Sequence, residues 1–291
     1  MRLGANTFIW ESPFSTAKHL YLVDKVKAMG FDLIEIAVED PQLVDIAKLK
    51  TALRDSEMSA ILCGAFGPGR NISSFEAGER QNARNYIRWM IQAASEVSSP
   101  VICGPMYSAV GKPRLVDEND RQREYNLAVE GLAVLCEYAA DYGVRLAFEP
   151  LNRFETDMIN IVEQGLKLIR DVGSPHLGFH LDTFHMHLEE KDSYAAVRKA
   201  GERVFHFHAC ENDRGIPGTG QVNWPGIARA LREIGYGGAV VIESFTPQVK
   251  SIARAVCIWR EIAPDQDSLA RQGLVFLRQL LNEPDVLPGV S

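Results

Sequence analysis

Several features that the sequence lacks exclude whole classes of protein. It has five cysteines, an odd number with no CxxC pair, so neither a zinc nor a disulfide framework is predicted and free cysteines of a cytoplasmic protein are expected. No apolar run reaches the roughly 18 residues of a membrane-spanning helix. The N-terminus, MRLGANTFIW, lacks a basic stretch followed by a long apolar run, so no signal peptide is expected.

Clustered positive charge is also absent. The chain has 31 Lys and Arg against 38 Asp and Glu, a formal net charge of −7 and a pI near 5.6. Nucleic-acid binding requires clustered Lys and Arg against phosphates, so a nucleic-acid partner is disfavoured. No Lys lies in any of the predicted strands described next, so the amine of a Schiff-base aldolase is missing.

Short apolar runs alternate with helical-period segments along the whole chain. The strand candidates are Leu3–Trp10, Leu33–Val38, Ser59–Ala65, Pro100–Gly104, Val144–Glu149, Leu177–Asp182, Val204–His208 and Ala239–Glu243. The helix candidates are Thr16–Met29, Val44–Ser56, Ala77–Val97, Asp117–Tyr142, Ile159–Val172, Ser193–Ala200, Trp224–Ile234 and Val249–Glu261, followed by a last helix, Ser268–Leu281. Eight such βα units predict an α/β fold, a (β/α)₈ barrel with an additional C-terminal helix.

We expect one domain over residues 1–291, with a fraying tail, NEPDVLPGVS. A doubly wound open sheet is the competing fold, but it usually opens with a glycine-rich phosphate loop after its first strand. The first strand here runs into IWESPF instead. Glycines that follow helices, Gly30, Gly143 and Gly235, are typical helix C-caps.

Four consecutive strands end in a side chain that can bind a metal ion. Glu149 closes VRLAFE, Asp182 closes LGFHLD, His208 closes VFHFH and Glu243 closes AVVIE. Active sites of such barrels lie at the carboxyl ends of the strands. Three carboxylates and one imidazole suit Mn²⁺, Mg²⁺ or Co²⁺ better than a sulfur-loving ion. The pattern therefore favours a metal-dependent enzyme.

The spacing of these strands around the ring suggests a reaction. The fifth and eighth strands are three steps apart, roughly 135°, so Glu149 and Glu243 should face each other across the mouth. One glutamate could then remove a proton next to a carbonyl and the other return it on the opposite face, while the metal polarises the carbonyl oxygen. By strand alternation His206 shares the inward face with His208 and is read as a buried histidine, while Phe205 and Phe207 take the other face.

Other residues near the mouth suit a polyol. Charged groups can hold hydroxyls, and aromatic faces can cover the C–H faces of a sugar. The candidates for substrate binding are Glu155, His185, Arg214, Phe8, Cys63 and Tyr107.

The segments EPLNRFE, LDTFHMHLEE, HFHACENDRGIPGTGQVNW, VVIESF and AVCIWREI resemble the D-tagatose 3-epimerase family. This family includes D-allulose (D-psicose) and L-ribulose 3-epimerases and lies within the xylose-isomerase-like barrel superfamily. The resemblance is specific over residues 146–260 and weaker but collinear before them.

The resemblance implies roles for residues already singled out. It makes Glu149, Asp182, His208 and Glu243 the metal ligands, makes the two glutamates the acid/base pair at C3, and assigns Glu155, His185 and Arg214 to the O1–O3 end of the ketose. It also implies one divalent ion per subunit, Mn²⁺ first, with Co²⁺ or Mg²⁺ as alternatives. The substrate would be a free ketose such as L-ribulose, D-tagatose, D-allulose or D-fructose, and the assembly a homodimer or homotetramer.

The first half departs from the family pattern. Asn6 stands where an aromatic residue is expected, and the loop GPMYSAVG lacks an expected tryptophan. These positions line the far end of the sugar, so they bear on the choice of ketose. The segments GANTFIWESPF and GPMYSAVG look most similar to L-ribulose 3-epimerase-like members.

Three other readings stay open. A metal-dependent aldose–ketose isomerase, such as hydroxypyruvate isomerase, would move a proton between C1 and C2 along one face only. A metal-dependent phosphodiesterase would need further histidines, which strands three and four lack at their ends. A non-catalytic sugar-binding protein would have no use for two facing carboxylates on one metal.

Overall fold

Eight parallel strands form a closed barrel in the computed structural model, which describes residues 1–282. The strands are β1 (Arg2–Asn6), β2 (Leu33–Val38), β3 (Ser59–Gly64), β4 (Val101–Gly104), β5 (Arg145–Phe148), β6 (Leu177–Asp182), β7 (Val204–Ala209) and β8 (Ala239–Ile242). Each strand pairs with the next, and β1 pairs with β8 with Arg2 opposite Ala239. The predicted (β/α)₈ barrel is confirmed, while all but the first residue of the predicted fraying tail lies outside the described residues.

Helices surround this barrel. They are α1 (Tyr21–Met29), α2 (Ile46–Asp55), α3 (Ala77–Glu96), α4 (Glu118–Asp141), α5 (Val162–Val172), α6 (Thr183–Glu189), α7 (Ser193–Ala200), α8 (Trp224–Glu233), α9 (Lys250–Ala255) and α10 (Gln266–Asn282), the predicted C-terminal helix. Three short 3₁₀ turns, Thr7–Ile9, Pro41–Leu43 and Gly201–Arg203, complete the regular structure. Within residues 1–282, no helix has both the length and the apolar character needed to cross a membrane.

Three elements differ from the sequence-based expectation for local reasons. The first strand ends at Asn6 because the Asn6 side chain accepts a hydrogen bond from the Phe8 amide at 2.8 Å and starts a 3₁₀ turn. The expected helix over Val249–Glu261 is only α9, since Cys257 takes a positive φ of 57° just after its end. Helix α6 was not predicted, and its cap is the Asp182 carboxylate, which accepts from the Phe184 amide at 2.6 Å.

Glycines end three helices at the face of the barrel opposite the strand tips. Gly30, Gly143 and Gly235 have φ values of +94°, +66° and +66°. These left-handed conformations are strained for residues with a Cβ atom, so glycine is the natural choice at a helix C-cap. The predicted turns are confirmed.

The barrel interior contains an apolar cluster. Its members are Leu33, Ile61, Val101, Ala147, Phe205, Ala239 and Val241, together with Cys63 and Cys103. Strict alternation along β7 predicted that Phe205 points away from the barrel interior. This prediction is wrong, because Phe205 belongs to the interior cluster. The register passes from Phe179 opposite Val204 to His180 opposite His206, so β7 carries an extra residue, a bulge that turns Phe205 inward. Gly178 makes room for it, because a Cβ there would lie 2.6 Å from the Phe205 ring.

The tips of β3 and β4 are both glycine. Gly104 has a φ of +124°, and a Cβ on it would lie 2.6 Å from the carbonyl oxygen of Gly64. The two strand ends approach each other so closely that no side chain fits between them. On this side of the barrel, the backbone and the loops beyond it form the mouth.

Candidate active site

The four predicted metal ligands lie together at the carboxyl ends of β5 to β8. Glu149 and Glu243 directly follow β5 and β8, while Asp182 and His208 are opposite each other in the β6–β7 register. All four are buried. The Nδ1 atom of His208 lies 3.5 Å from a Glu243 oxygen and 3.9 Å from an Asp182 oxygen. The strand-end pattern in the sequence therefore corresponds to one site in space.

Arg214 extends into this group from the loop after β7. Its Nη1 atom donates to Asp182 Oδ2 at 2.7 Å and to Glu243 Oε2 at 3.0 Å. Burial alone would raise the pKa of Asp182, but Arg214, the His185 and His208 rings and the Cys210 thiol together outweigh burial and lower it to about 2. Arg214 itself is buried, and its guanidinium lies over the Phe184 ring at 4.0 Å. One fixed cation thus lies between two of the three carboxylates.

Glu149 has no such partner. Burial raises its pKa well above the usual range, and the negative charges of Glu243 and Asp182 raise it further. Its nearest imidazoles, His180 Nδ1 at 3.5 Å and His185 Nε2 at 3.7 Å, are both held largely neutral because burial lowers their pKa values. A cluster with this excess of carboxylate would be stabilised by a bound cation.

The donor set fits a divalent metal ion. Among residues 1–282, the buried Nδ1 atom of His208 has no hydrogen-bond partner although it faces two carboxylates. One possible set of ligand atoms comes from Asp182, His208 and Glu243, and these atoms all lie within 4.8 Å of one another. A second set within the same distance includes Glu149 and His208. An unpartnered imidazole nitrogen among carboxylate oxygens is what a hard cation such as Mn²⁺ would use.

A cavity of about 480 Å³ opens above these ligands. Its lining includes Glu149 and Glu243 and five of the six predicted substrate-binding residues: Phe8, Cys63, Glu155, His185 and Arg214. The sixth, Tyr107, lies in the core with its ring against Phe148, and its hydroxyl donates to the Ile159 carbonyl oxygen at 3.0 Å. Because that hydroxyl is already used, we do not include Tyr107 in the proposed site.

Asn152 joins two of the predicted substrate-binding residues and was not singled out in the sequence. Its side-chain amide donates to Glu155 Oε1 at 2.8 Å, and its backbone amide donates to His185 Nδ1 at 3.1 Å. Since Nδ1 accepts, the proton of a neutral His185 ring lies on Nε2, the atom that faces Glu149. The motif EPLNRFE contains Asn152, but its spacing alone does not reveal this bridging role.

Two further glutamates support the site from outside the cavity. Glu35 on β2 lies beneath His208, whose Nε2 atom is 2.7 Å from Glu35 Oε1. Glu211 anchors the loop that carries Arg214, because it accepts from the Trp224 indole and from the Gly218 and Val222 amides at 2.8 to 3.0 Å. Glu35 could have been noticed in the sequence as the one acid inside the apolar strand LIEIAV. His206, predicted to be buried, has its Nε2 atom 2.6 Å from Glu35 Oε2.

Comparison with known families identifies this barrel. Residues 23–280 match the family model described as a xylose isomerase-like TIM barrel. The chain belongs to this family. Within it, the chain is 34% identical over 279 residues to a probable ketose 3-epimerase from Synechocystis sp., covering 96% of both chains. It is also 32% identical to a D-psicose 3-epimerase from Agrobacterium fabrum, covering 97% of this chain and 99% of that one. The chain is thus one of the ketose 3-epimerase relatives in the family, and a carbohydrate epimerase of the isomerase class.

Solved structures of the family agree in shape. An L-ribulose 3-epimerase structure superposes with a TM-score of 0.90 at 29% identity, covering 96% of this chain and 94% of the other. A D-allulose 3-epimerase from Methylomonas sp. in complex with D-allulose gives a TM-score of 0.89 at 29% identity, covering 96% of both chains. Membership of an epimerase family sets aside the reading of the chain as a non-catalytic sugar-binding protein.

Proposed function

We propose that the chain is a metal-dependent ketose 3-epimerase that inverts C3 of a free ketose. The observation that carries the proposal is the placement of two buried glutamates, Glu149 and Glu243, on strands three steps apart around the ring, both lining one cavity. Glu149, Asp182, His208 and Glu243 would hold the ion, with Mn²⁺ preferred and Co²⁺ or Mg²⁺ as alternatives. When bound, the ion would supply Lewis-acid polarisation of the substrate carbonyl.

The protein groups divide the proton transfers between two faces of the sugar. One glutamate removes the proton from C3 and leaves a cis-enediolate, and the other glutamate returns a proton to the opposite face of C3. The order reverses for the other epimer, because each glutamate must then take the opposite part.

The O1–O3 end of the ketose would meet the polar part of the cavity. His185, with its ring proton on Nε2, and Arg214 can donate to sugar oxygens, while Glu155 can accept from hydroxyls. The rest of the wall is largely apolar, with Phe8, Phe66, Phe245 and Ile252. We propose L-ribulose, D-tagatose, D-allulose and D-fructose as substrates, supported by the names of the relatives, which include L-ribulose and D-psicose 3-epimerases. A cytoplasmic homodimer or homotetramer remains the prediction.

Incubation with ketoses in D₂O tests the reaction. The Mn²⁺-loaded chain would be given L-ribulose, D-tagatose and D-fructose separately, with products resolved by chromatography and the deuterium located by NMR. We expect the C3 epimer of at least one ketose, labelled at C3. An aldose product with label at C1 or C2 would replace the proposal with 1,2-isomerisation, and no turnover of any ketose would overturn both.

A further inference from the structure

Glu35 is a fully buried carboxylate that does not line the substrate cavity. It projects from β2 into the barrel, below the strand tips. Its Oε1 atom is 2.7 Å from His208 Nε2 and accepts from the Asn6 side-chain amide at 2.6 Å. Its Oε2 atom is 2.6 Å from His206 Nε2 and 3.6 Å from the Cys103 sulfur. Every polar group around this carboxylate is able to donate to it.

Such a carboxylate is costly unless its surroundings stabilise the charge. Moving one ion from water into a protein interior costs several kcal/mol. The Asn6 side chain fixes one oxygen of Glu35 as an acceptor. Because Asn6 Oδ1 accepts from the Phe8 amide, its Nδ2 atom is the donor that faces Glu35 Oε1 at 2.6 Å. A buried carboxylate outside the cavity lining calls for a role other than binding sugar.

The contact with Glu35 decides which nitrogen of His208 faces the active site. Glu35 Oε1, which accepts from the Asn6 amide, lies 2.7 Å from His208 Nε2, so the proton of this contact belongs on Nε2. In a neutral ring the lone pair is then on Nδ1, the atom that lies 3.5 Å from Glu243 and 3.9 Å from Asp182. The opposite tautomer would direct the Nε2 lone pair at the Glu35 carboxylate, which is repulsive. Glu35 thus prepares the ring to bind a cation through Nδ1.

We propose that Glu35, held in place by Asn6, is a positioning residue that fixes the tautomer and the orientation of His208 for metal binding. The inference rests on the proposed metal-dependent function. It adds a carboxylate from β2 and an amide from β1 to a site whose ligands all come from β5 to β8. Carboxylates that orient a metal-bound imidazole in this way typically change metal affinity 10- to 100-fold when they are altered.

Replacement of Glu35 by glutamine tests the proposal without relying on activity. The Glu35→Gln side chain has one accepting oxygen, and its amino group can only donate, so it cannot offer an acceptor to both His208 and His206 as the carboxylate does. We expect the Kd for Mn²⁺, measured from the electron paramagnetic resonance signal of free Mn²⁺, to rise about 10- to 100-fold. In the zinc-loaded chain, ¹⁵N NMR of labelled histidines should show a single His208 tautomer with the proton on Nε2, and mixed tautomers in the variant.

A matched control separates this effect from the general loss of a buried charge. Glu124 is also buried, and its carboxylate contacts Lys112 at 3.3 Å and Arg114 at 2.7 Å, away from the metal ligands. The Glu124→Gln variant makes the same chemical change and should leave the Kd for Mn²⁺ within about twofold of that of the unchanged chain, because a carboxylate outside the ligand set has little effect on the ion. A milder variant, Asn6→Ser, removes the amide donor from Glu35 and should raise the Kd several-fold.

The outcomes are distinct. Equal Mn²⁺ affinity in folded Glu35→Gln and in the unchanged chain would overturn the positioning role and leave the proposed epimerase intact. If Glu35→Gln does not fold, unchanged affinity and an unchanged His208 tautomer in Asn6→Ser would overturn it. Failure of the unchanged chain to bind Mn²⁺ would overturn the metal-dependent function, and this inference with it.

Discussion

The two halves of the barrel differ in what their strand ends offer. At the carboxyl ends of β5 to β8 stand Glu149, Asp182, His208 and Glu243, four side chains that can bind a cation. Of the first four strands, β3 and β4 end in glycine, and the other two contribute their polar groups, Asn6 and Glu35, below the mouth. In the proposed function, the second half would hold the chemistry, whereas the first half would hold one of its ligands in place and supply part of the apolar wall.

This difference explains why a single ring of eight similar units has one active site rather than eight. The fold places every strand end at the same face, but the four predicted ligands stand at adjacent strands, β5 to β8. The opposite strands are then free to vary in their loops, and the structure places Phe8, Cys63 and Phe66 there, on the cavity wall. We expect changes to the proposed acid/base glutamates of the second half to alter the turnover number, and changes to the aromatic wall of the first half to alter substrate affinity.

The largest effect is expected from the two glutamates of the second half. Glu149→Gln and Glu243→Gln each remove a group that must gain or lose a proton, so kcat should fall by at least about 10³-fold. Turnover of L-ribulose, D-tagatose and D-fructose at saturating Mn²⁺ measures this, with Glu124→Gln as the matched control. Near-normal turnover by either variant would break the assignment of chemistry to this half.

Metal removal should affect stability as well as activity. An ion that binds only the folded chain, at about 100 times its Kd, adds about 2.7 kcal/mol to the free energy of unfolding. For a chain of this size that corresponds to a rise in Tm of roughly 4 to 5 °C. Thermal unfolding after treatment with a chelator, and again after Mn²⁺ is restored, measures the rise. Asp182→Asn should lose most of the rise in Tm, and Phe8→Ala should keep it. Equal rises in Tm in both variants would contradict the placement of the metal ligands in the second half of the barrel.

A smaller effect is expected from the apolar wall of the first half. Phe8 lines the cavity and packs against Phe245 with ring centroids 5.3 Å apart. Phe8→Ala removes contact area for the sugar but no proton-transfer group, so KM should rise about tenfold, or about 1.4 kcal/mol, with kcat changed less than threefold. Steady-state kinetics on the best ketose decide this. A fall in kcat as large as that of the glutamate variants would contradict the claim that Phe8 contributes to substrate affinity and not to proton transfer.

The smallest effect is expected outside both regions. Glu124→Gln removes the contacts of a buried carboxylate with Lys112 and Arg114, so the free energy of unfolding should fall by about 1 to 2 kcal/mol. Urea denaturation followed by circular dichroism measures this loss, while kcat and KM should stay within about twofold. A change in kcat beyond that range would mean that the loop from Lys112 to Arg114 is coupled to the site.

The sequence predicted the barrel and the residues at its strand ends because both follow from short-range patterns. Apolar runs of strand length alternate with helical periods, and each ligand stands at the end of its own run. The contact between Glu35 and His208 has no such signature, because it joins residues 173 positions apart and exists only once the barrel closes. The Phe205 bulge was missed for a related reason, since strict alternation assumes an unbroken register. Tyr107 follows β4 as predicted, but its hydroxyl direction depends on Ile159 in a distant loop.

The glycine ends of β3 and β4 limit how this enzyme can evolve. A side chain at Gly104 would require a strained backbone and would collide with the Gly64 carbonyl oxygen, so a fifth ligand cannot arise at this position by point mutation. The same closeness leaves the following segments, 65–68 and 105–111, to form that side of the cavity, and residues of both line it. Selection for a different ketose can therefore act on these loops without disturbing the ion and its ligands. The side of the mouth that carries the ligands is constrained by the reaction, whereas the loops on the other side can change and so alter which substrate binds.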